Sequence, residues 1–155
     1  MEKTAYKIIK LAHETETVAV DIFQVMQKSY TVEAQLLNIK DFPPLRRTSE
    51  NIQSSGSTFF GCIDATELAA VVETSSQDAL LDIHSMVVKP DHFRQGLAGA
   101  LLDFIFENHV WKFARVETGR DNMPAIQLYK KHGFSSVRTW QTEFGIIKVE
   151  LHKYR

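Results

Sequence analysis

One stretch constrains this chain more than any other: Val87-Val88-Lys89-Pro90-Asp91-His92-Phe93-Arg94-Gln95-Gly96-Leu97-Ala98-Gly99-Ala100-Leu101-Leu102. An apolar strand breaks at Pro90 and restarts through small residues as an apolar helix. Gly96, Ala98 and Gly99 keep side chains away from the first helical turn, whose N–H groups have no partner inside the helix and point at an anion. The stretch therefore predicts a strand, a phosphate-sized cradle and a helix in direct succession. Taken alone such a turn is a weak signal. A second element downstream gives it weight: Asn122-Met123-Pro124-Ala125-Ile126-Gln127-Leu128-Tyr129-Lys130-Lys131-His132-Gly133-Phe134.

Composition narrows what can surround these two elements. A chain of 155 residues with 44% hydrophobic and 24% charged residues builds one core, so a single domain over 1–155 is expected, without a disordered tail. The net charge of −1, with Lys and Arg scattered, argues against nucleic acid as a partner. Met1–Tyr6 lacks the pattern of a leader and no apolar run is long enough to span a bilayer, so no membrane partner and a cytoplasmic location are expected. Cys62 is the only cysteine, and its neighbours Phe59, Phe60 and Ile63 predict a buried structural thiol on a strand. The histidines at 13, 84, 92, 109, 132 and 152 show no zinc-ligand spacing, and no metal is expected. No serine sits in a Gly-x-Ser-x-Gly elbow, which argues against a serine ester intermediate.

Periodicity predicts the remaining elements. Tyr6–Leu11 reads as a first strand, Glu14–Tyr30 as a helix through Val18, Ile22, Val25 and Met26, and Val32–Ile39 as a short second helix closed by Pro43 and Pro44. Arg46–Ser57 reads as a loop or ragged helix. Thr58–Asp64, Glu67–Thr74 and Ala79–Val88 read as a three-strand meander. The helix after the glycine turn runs to about Trp111, and Phe113–Thr118 returns as a strand parallel to the third strand of the meander. Asn122 caps a further helix that Gly133 ends, and Phe134–Trp140 with Phe144–Leu151 forms a closing hairpin.

With both elements in place, the chain resembles the GNAT superfamily of acetyl-CoA-dependent N-acetyltransferases. The resemblance covers most of the chain and is carried by Ser85–Leu102 and by the N-x-x-A-x-x-x-Y-x-x-x-G-F pattern of Asn122–Phe134. It implies an α/β (α+β) fold: a central mixed, mostly antiparallel sheet with one parallel, splayed strand pair, flanked by helices. It implies that backbone groups of Arg94, Gln95, Gly96, Leu97, Ala98 and Gly99 hold the pyrophosphate of acetyl-CoA, that Met86, Val87 and Val88 pair with its pantetheine arm, and that Asn122 and Tyr129 contact it. It also implies a homodimer. Phe93 stands where the family's pattern opens with Gln or Arg, so the cradle rests on main chain and not on that side chain.

The expected reaction is direct transfer of an acetyl group to a primary amine through a ternary complex. Attack on a thioester expels a thiolate whose thiol titrates near ~8.5, whereas a tyrosine near ~10 stays protonated at neutral pH, so Tyr129 is the candidate general acid. An acceptor ammonium must first lose a proton. Glu33, just before the Phe42-Pro43-Pro44 loop, is the candidate base, with His84 and Asp82 behind it. The acceptor stays open between a small metabolite amine, an amino acid, a drug amine, a polyamine and a protein terminus. A non-catalytic acyl-CoA-binding module is the alternative reading.

Overall fold

Among the described residues, seven strands join in one sheet of order β1-β2-β3-β4-β5-β7-β6. Along the chain they are β1 (Tyr6–Lys10), β2 (Thr58–Asp64), β3 (Glu67–Gln77), β4 (Leu80–Val88), β5 (Phe113–Gly119), β6 (Ser135–Gln141) and β7 (Ile147–Tyr154). The helices are α1 (Glu16–Leu36), α2 (Ser49–Gln53), α3 (Leu97–Asn108) and α4 (Met123–Lys131), with 3-10 turns at Pro43–Arg46 and Pro90–His92. This computed structural model describes residues 6–155; Met1–Ala5, part of the segment read for a leader, lies outside the described residues. No helix among the described residues is long and apolar enough to cross a membrane.

Helices cover both faces of the sheet. On one face α1 and α2 pack Ala19, Ile22, Val25, Met26 and Ile52 onto Phe59, Val71 and Val87. On the other, α3 and α4 pack Leu97, Leu101, Leu102, Ile105 and Ile126 onto Cys62, Ala70, Val72, Leu81 and Val116. Between these two layers β3 is buried over seven consecutive residues, Leu68–Thr74, as a strand covered on both sides must be. Cys62 is buried as expected, and burial, with the charge of Asp64, pushes its thiol up to about 11.

Only β4 and β5 pair in parallel among the described strands, and their register ends early, running from Leu80↔Phe113 to Ile83↔Val116. Beyond it β4 stays paired to β3 alone and β5 to β7 alone, so the sheet opens between them. At the same level β4 carries a bulge: Glu73 faces Ser85 and Thr74 faces Ile83, leaving His84 as the extra residue. One inserted residue reverses the faces of everything after it. Leu81 and Ile83 accordingly point to the α3 and α4 layer, whereas Val87 points to α1. Met86 and Val88 are thereby turned toward the opening.

One expectation needs correction. The predicted break between Tyr30 and Val32 does not occur, and Val32–Ile39 supplies the last turns of α1 and its cap. Thr31, between the two predicted helices, donates its hydroxyl to the Gln27 carbonyl at 2.6 Å within the continuous helix. The helix ends instead at Leu36, and Asn38, just past the cap in the left-handed region at φ 56°, closes it with Asn38 N–H on Gln35 O and Ile39 N–H on Ala34 O. The ragged Arg46–Ser57 stretch contains α2, capped reciprocally by Thr48 and Asn51, with Ile52 wholly buried. The closing hairpin forms, and β7 enters the sheet between β5 and β6.

Candidate active site

After Val88 the chain makes its 3-10 turn, and two residues then sit in the left-handed region, Arg94 at φ 64° and Gly96 at φ 79°. Gly96 is the N-cap of α3, without side-chain capping, and the first amide of the helix bonded back to it is Ala100 N–H on Gly96 O at 3.0 Å. The N–H groups of Leu97, Ala98 and Gly99 precede that bond and form the free positive end of the helix. The two glycines differ in purpose. A Cβ on Gly96 would meet nothing within 4 Å, so glycine there serves the backbone angle; a Cβ on Gly99 would lie 3.3 Å from His132 Cε1, so glycine there admits α4.

The turn opens onto a cleft of about 490 Å³ bounded by α1, the end of β4, the start of α3 and α4. Met86, Val88, Arg94, Gly96, Leu97, Ala98, Gly99, Asn122 and Tyr129, all named from the sequence, line it together. Val87 does not, because the His84 bulge sends its side chain into the α1 layer, where it is 2% exposed. Gln95 also lies outside the lining. Phe93 lines the cleft at 40% exposure.

A second, larger cleft of about 800 Å³ lies on the other side of the opening between β4 and β5. Its walls come from α1, the Phe42–Arg47 segment, the β4 bulge, the end of β5 and the β6–β7 turn. Six residues line both clefts: Tyr30, Glu33, Met86, Asn122, Ala125 and Tyr129. The opened parallel pair is thus a passage, and Tyr129, 4% exposed, stands in it.

The polar groups at this junction are coupled. Asn122 uses both ends of its amide: Oδ1 accepts from Ala125 N–H at 3.4 Å, capping α4, and Nδ2 donates to Glu33 Oε1 at 2.6 Å. Burial raises the Glu33 carboxyl above its ordinary value, a rise that the Asn122 hydrogen bond and the charge of Lys148 reduce without cancelling. Burial first, then the charge of Glu33 and the neighbouring Tyr30, push the Tyr129 phenol well above the usual tyrosine range. It is a neutral proton donor at any physiological pH.

Of the other bases named from sequence, His84 lines the larger cleft from its bulge, with Nε2 2.7 Å from Ser75 Oγ. Asp82 is engaged by Arg115 at 2.5 Å and lines neither cleft. Sequence reading missed Tyr30, held beside Ser85, and the partly buried pair of Arg47 with Glu73. It had one signal to offer: Glu73 is a charged residue inside an otherwise uncharged buried run, and such a residue requires a partner. It also missed the grouping of Glu67, Asp91 and His92, whose ligand atoms lie within 4.8 Å of one another. Those atoms are already engaged, Glu67 by Lys89 and the two ring nitrogens of His92 by Asp91 and Asp64.

Comparison with known proteins identifies the family and the fold. A family model described as an acetyltransferase (GNAT) domain matches residues 55–136. The UPF0157 protein YqkA of Bacillus subtilis strain 168 is 30% identical over 145 residues, 93% of this chain and 42% of that protein, so the chain spans about two fifths of that relative's length. Among solved structures, the ribosomal-protein-S18-alanine N-acetyltransferase of Escherichia coli superposes with a TM-score of 0.75 at 20% identity, covering 97% of this chain and 94% of that one. The PaiA N-acetyltransferase of Thermoplasma acidophilum, in complex with coenzyme A, gives 0.76 at 15% identity over 97% and 99%. A GNAT family acetyltransferase of Elizabethkingia anophelis with acetyl-CoA bound gives 0.69 at 15% identity over 99% and 100%. At these identities the structures share the fold.

Proposed function

This chain belongs to the GNAT acetyltransferase family, and from that premise we propose that it transfers an acetyl group from acetyl-CoA directly to a primary amine, with both substrates bound at once. The observation that carries the reading is the pair of clefts meeting at Tyr129: one ends in a main-chain anion cradle, the other is walled by side chains, and both share the same residues at the junction. The smaller cleft suits the cosubstrate. Its far end offers the unpaired N–H groups of α3 and the adjoining turn to a pyrophosphate, and the edge of β4 beyond Ile83, turned away from β3 and unpaired by β5, suits an amide-bearing arm.

Acetyl-CoA supplies the activated thioester. Glu33 is the group that takes the first proton from the acceptor ammonium, its raised affinity for protons making it a better base than an exposed carboxylate. As the new C–N bond forms and the C–S bond breaks, Tyr129 gives its phenolic proton to the departing sulfur. The second nitrogen proton then restores Tyr129. The sum is amide, free thiol and one proton released from Glu33 to solvent. Asn122 fixes Glu33 toward the junction while capping the helix that carries Tyr129, so base and acid are held by one side chain.

Calorimetry with acetyl-CoA, followed by free-thiol release with an alkylamine, an α,ω-diamine, free lysine and a short peptide with a free N-terminus, tests this reading. Saturable binding with amine-dependent thiol release is expected. Binding without release from any of these amines would favour an acyl-CoA-binding module, and no binding would overturn both.

A further inference from the structure

The larger cleft contains a partly buried ion pair that the proposed chemistry does not use. Glu73, 3% exposed, is the last residue of β3 paired in register before the His84 bulge, opposite Ser85. Its carboxylate accepts from Arg47 twice, Nη1 to Oε1 at 2.6 Å and Nη2 to Oε2 at 2.9 Å, and from Ser85 Oγ at 3.0 Å. Arg47 caps the 3-10 turn Pro43–Arg46 and lies over the Phe59 ring at 5.7 Å. The wall is also tied to α1, where Gln27 Nε2 donates to Leu45 O at 2.9 Å and Phe42 meets Tyr30 edge-on, and to the β6–β7 turn, where the Arg46 guanidinium lies 5.2 Å over the Phe144 ring. Arg47 ties the wall to the sheet, at the level where β4 leaves β5.

Stability does not account for such a pair, because replacing a buried ion pair by apolar side chains of similar volume is often neutral or favourable. A two-pronged guanidinium–carboxylate contact does fix direction. It also cancels a charge. Arg47 lines the cleft that an ammonium must enter, and Glu73 neutralises it from below. Burial works against an ionised Glu73, but the hydrogen bonds and charge of Arg47, with Ser85, hold the carboxyl below its ordinary value.

Resting on the N-acetyltransferase reading, we propose that Arg47 and Glu73 are positioning residues for the acceptor: their pair fixes the Phe42–Arg47 wall against the strand bulge and removes a repulsive charge from the acceptor's path. The test is the full-length Arg47→Met/Glu73→Met double variant, assayed with the best amine of the panel above. It is expected to melt at or above the wild-type temperature. Acetyl-CoA affinity should stay within about twofold, while the KM for the amine rises about tenfold with a smaller change in kcat. Hydrogen exchange at residues 42–48 should quicken by about tenfold, with β3 and β4 unchanged. Glu73→Gln, which leaves Arg47 uncompensated, should raise the amine KM further, and added salt should partly reverse that rise by screening the stranded cation.

Arg47→Lys keeps the charge and gives up the fork, so it covers the case in which the double variant fails to fold. Its amine KM should rise by roughly threefold. An unchanged amine KM in whichever variant folds, or unchanged exchange at 42–48, overturns the proposal while leaving the acetyltransferase reading intact. A wild-type protein inert toward every amine overturns that reading and the acceptor role with it.

Discussion

The two clefts meet at the same residues yet are built from different materials. The smaller ends in main chain: a left-handed Gly96, the free end of α3 and the edge of β4. The larger is made of side chains brought together from α1, the Phe42–Arg47 segment, the strand bulge, β5 and the β6–β7 turn. A main-chain site is written in consecutive residues, because a turn needs its small residues at fixed spacing. A side-chain site is written nowhere in particular. The contact between Asn122 and Glu33 joins residues 89 positions apart.

Variants can break this comparison or sharpen it. After removal of the Tyr129 hydroxyl, the largest effect is expected at Glu33. Glu33→Gln should lower kcat/KM by about 10²-fold and remove the acidic limb of the pH–rate profile, which in the wild type falls as pH drops through the raised Glu33 value. The same substitution should raise thermal stability at neutral pH. A folded-state value above the unfolded one means that stability is greatest below the unfolded value and declines as pH rises through the folded one, so ionised Glu33 destabilises the fold at pH 7. A melting curve showing no gain would sever the link between burial and basicity at this residue.

Gly96→Val comes next and acts on the other cleft. Holding a β-branched residue at φ 79° costs about 1–2 kcal/mol, which the turn can relieve only by redirecting its amides. Acetyl-CoA binding, read by calorimetry, should weaken about tenfold while the amine KM stays put. Equal loss in both would mean that the clefts are not separable. The smallest effect is expected for Phe93→Gln, which restores the family's first motif residue. If the cradle is main chain, acetyl-CoA affinity should change by less than about twofold, the scale of a surface substitution.

The same contrast explains how much was legible in the sequence. The strand, turn and helix around Gly96 and the Asn122 helix could be placed residue by residue, because proline, glycine and the cap each fix a local backbone choice. The single helix from Glu16 to Leu36 was not legible, since its continuity past Thr31 comes from packing of its buried face on the sheet and not from a local signal. Nor was the bulge at His84, a register property that depends on β3 as much as on β4. That one residue decides that Met86 and Val88 face the smaller cleft while Val87 does not. Arg47 gave no local sign of its role; only its partner Glu73, charged among buried neighbours, carried a trace of it.

The central claim is that Tyr129 serves both clefts as a neutral acid, and kcat for Tyr129→Phe measured beside acetyl-CoA affinity tests it most directly. The ring and its packing against Phe134, at 5.5 Å between centroids, are kept, and only the proton is removed. The expected result is a fall in thiol release of about 10²–10⁴-fold across the pH range, with acetyl-CoA binding essentially unchanged. Wild-type turnover by Tyr129→Phe at every pH would contradict the account.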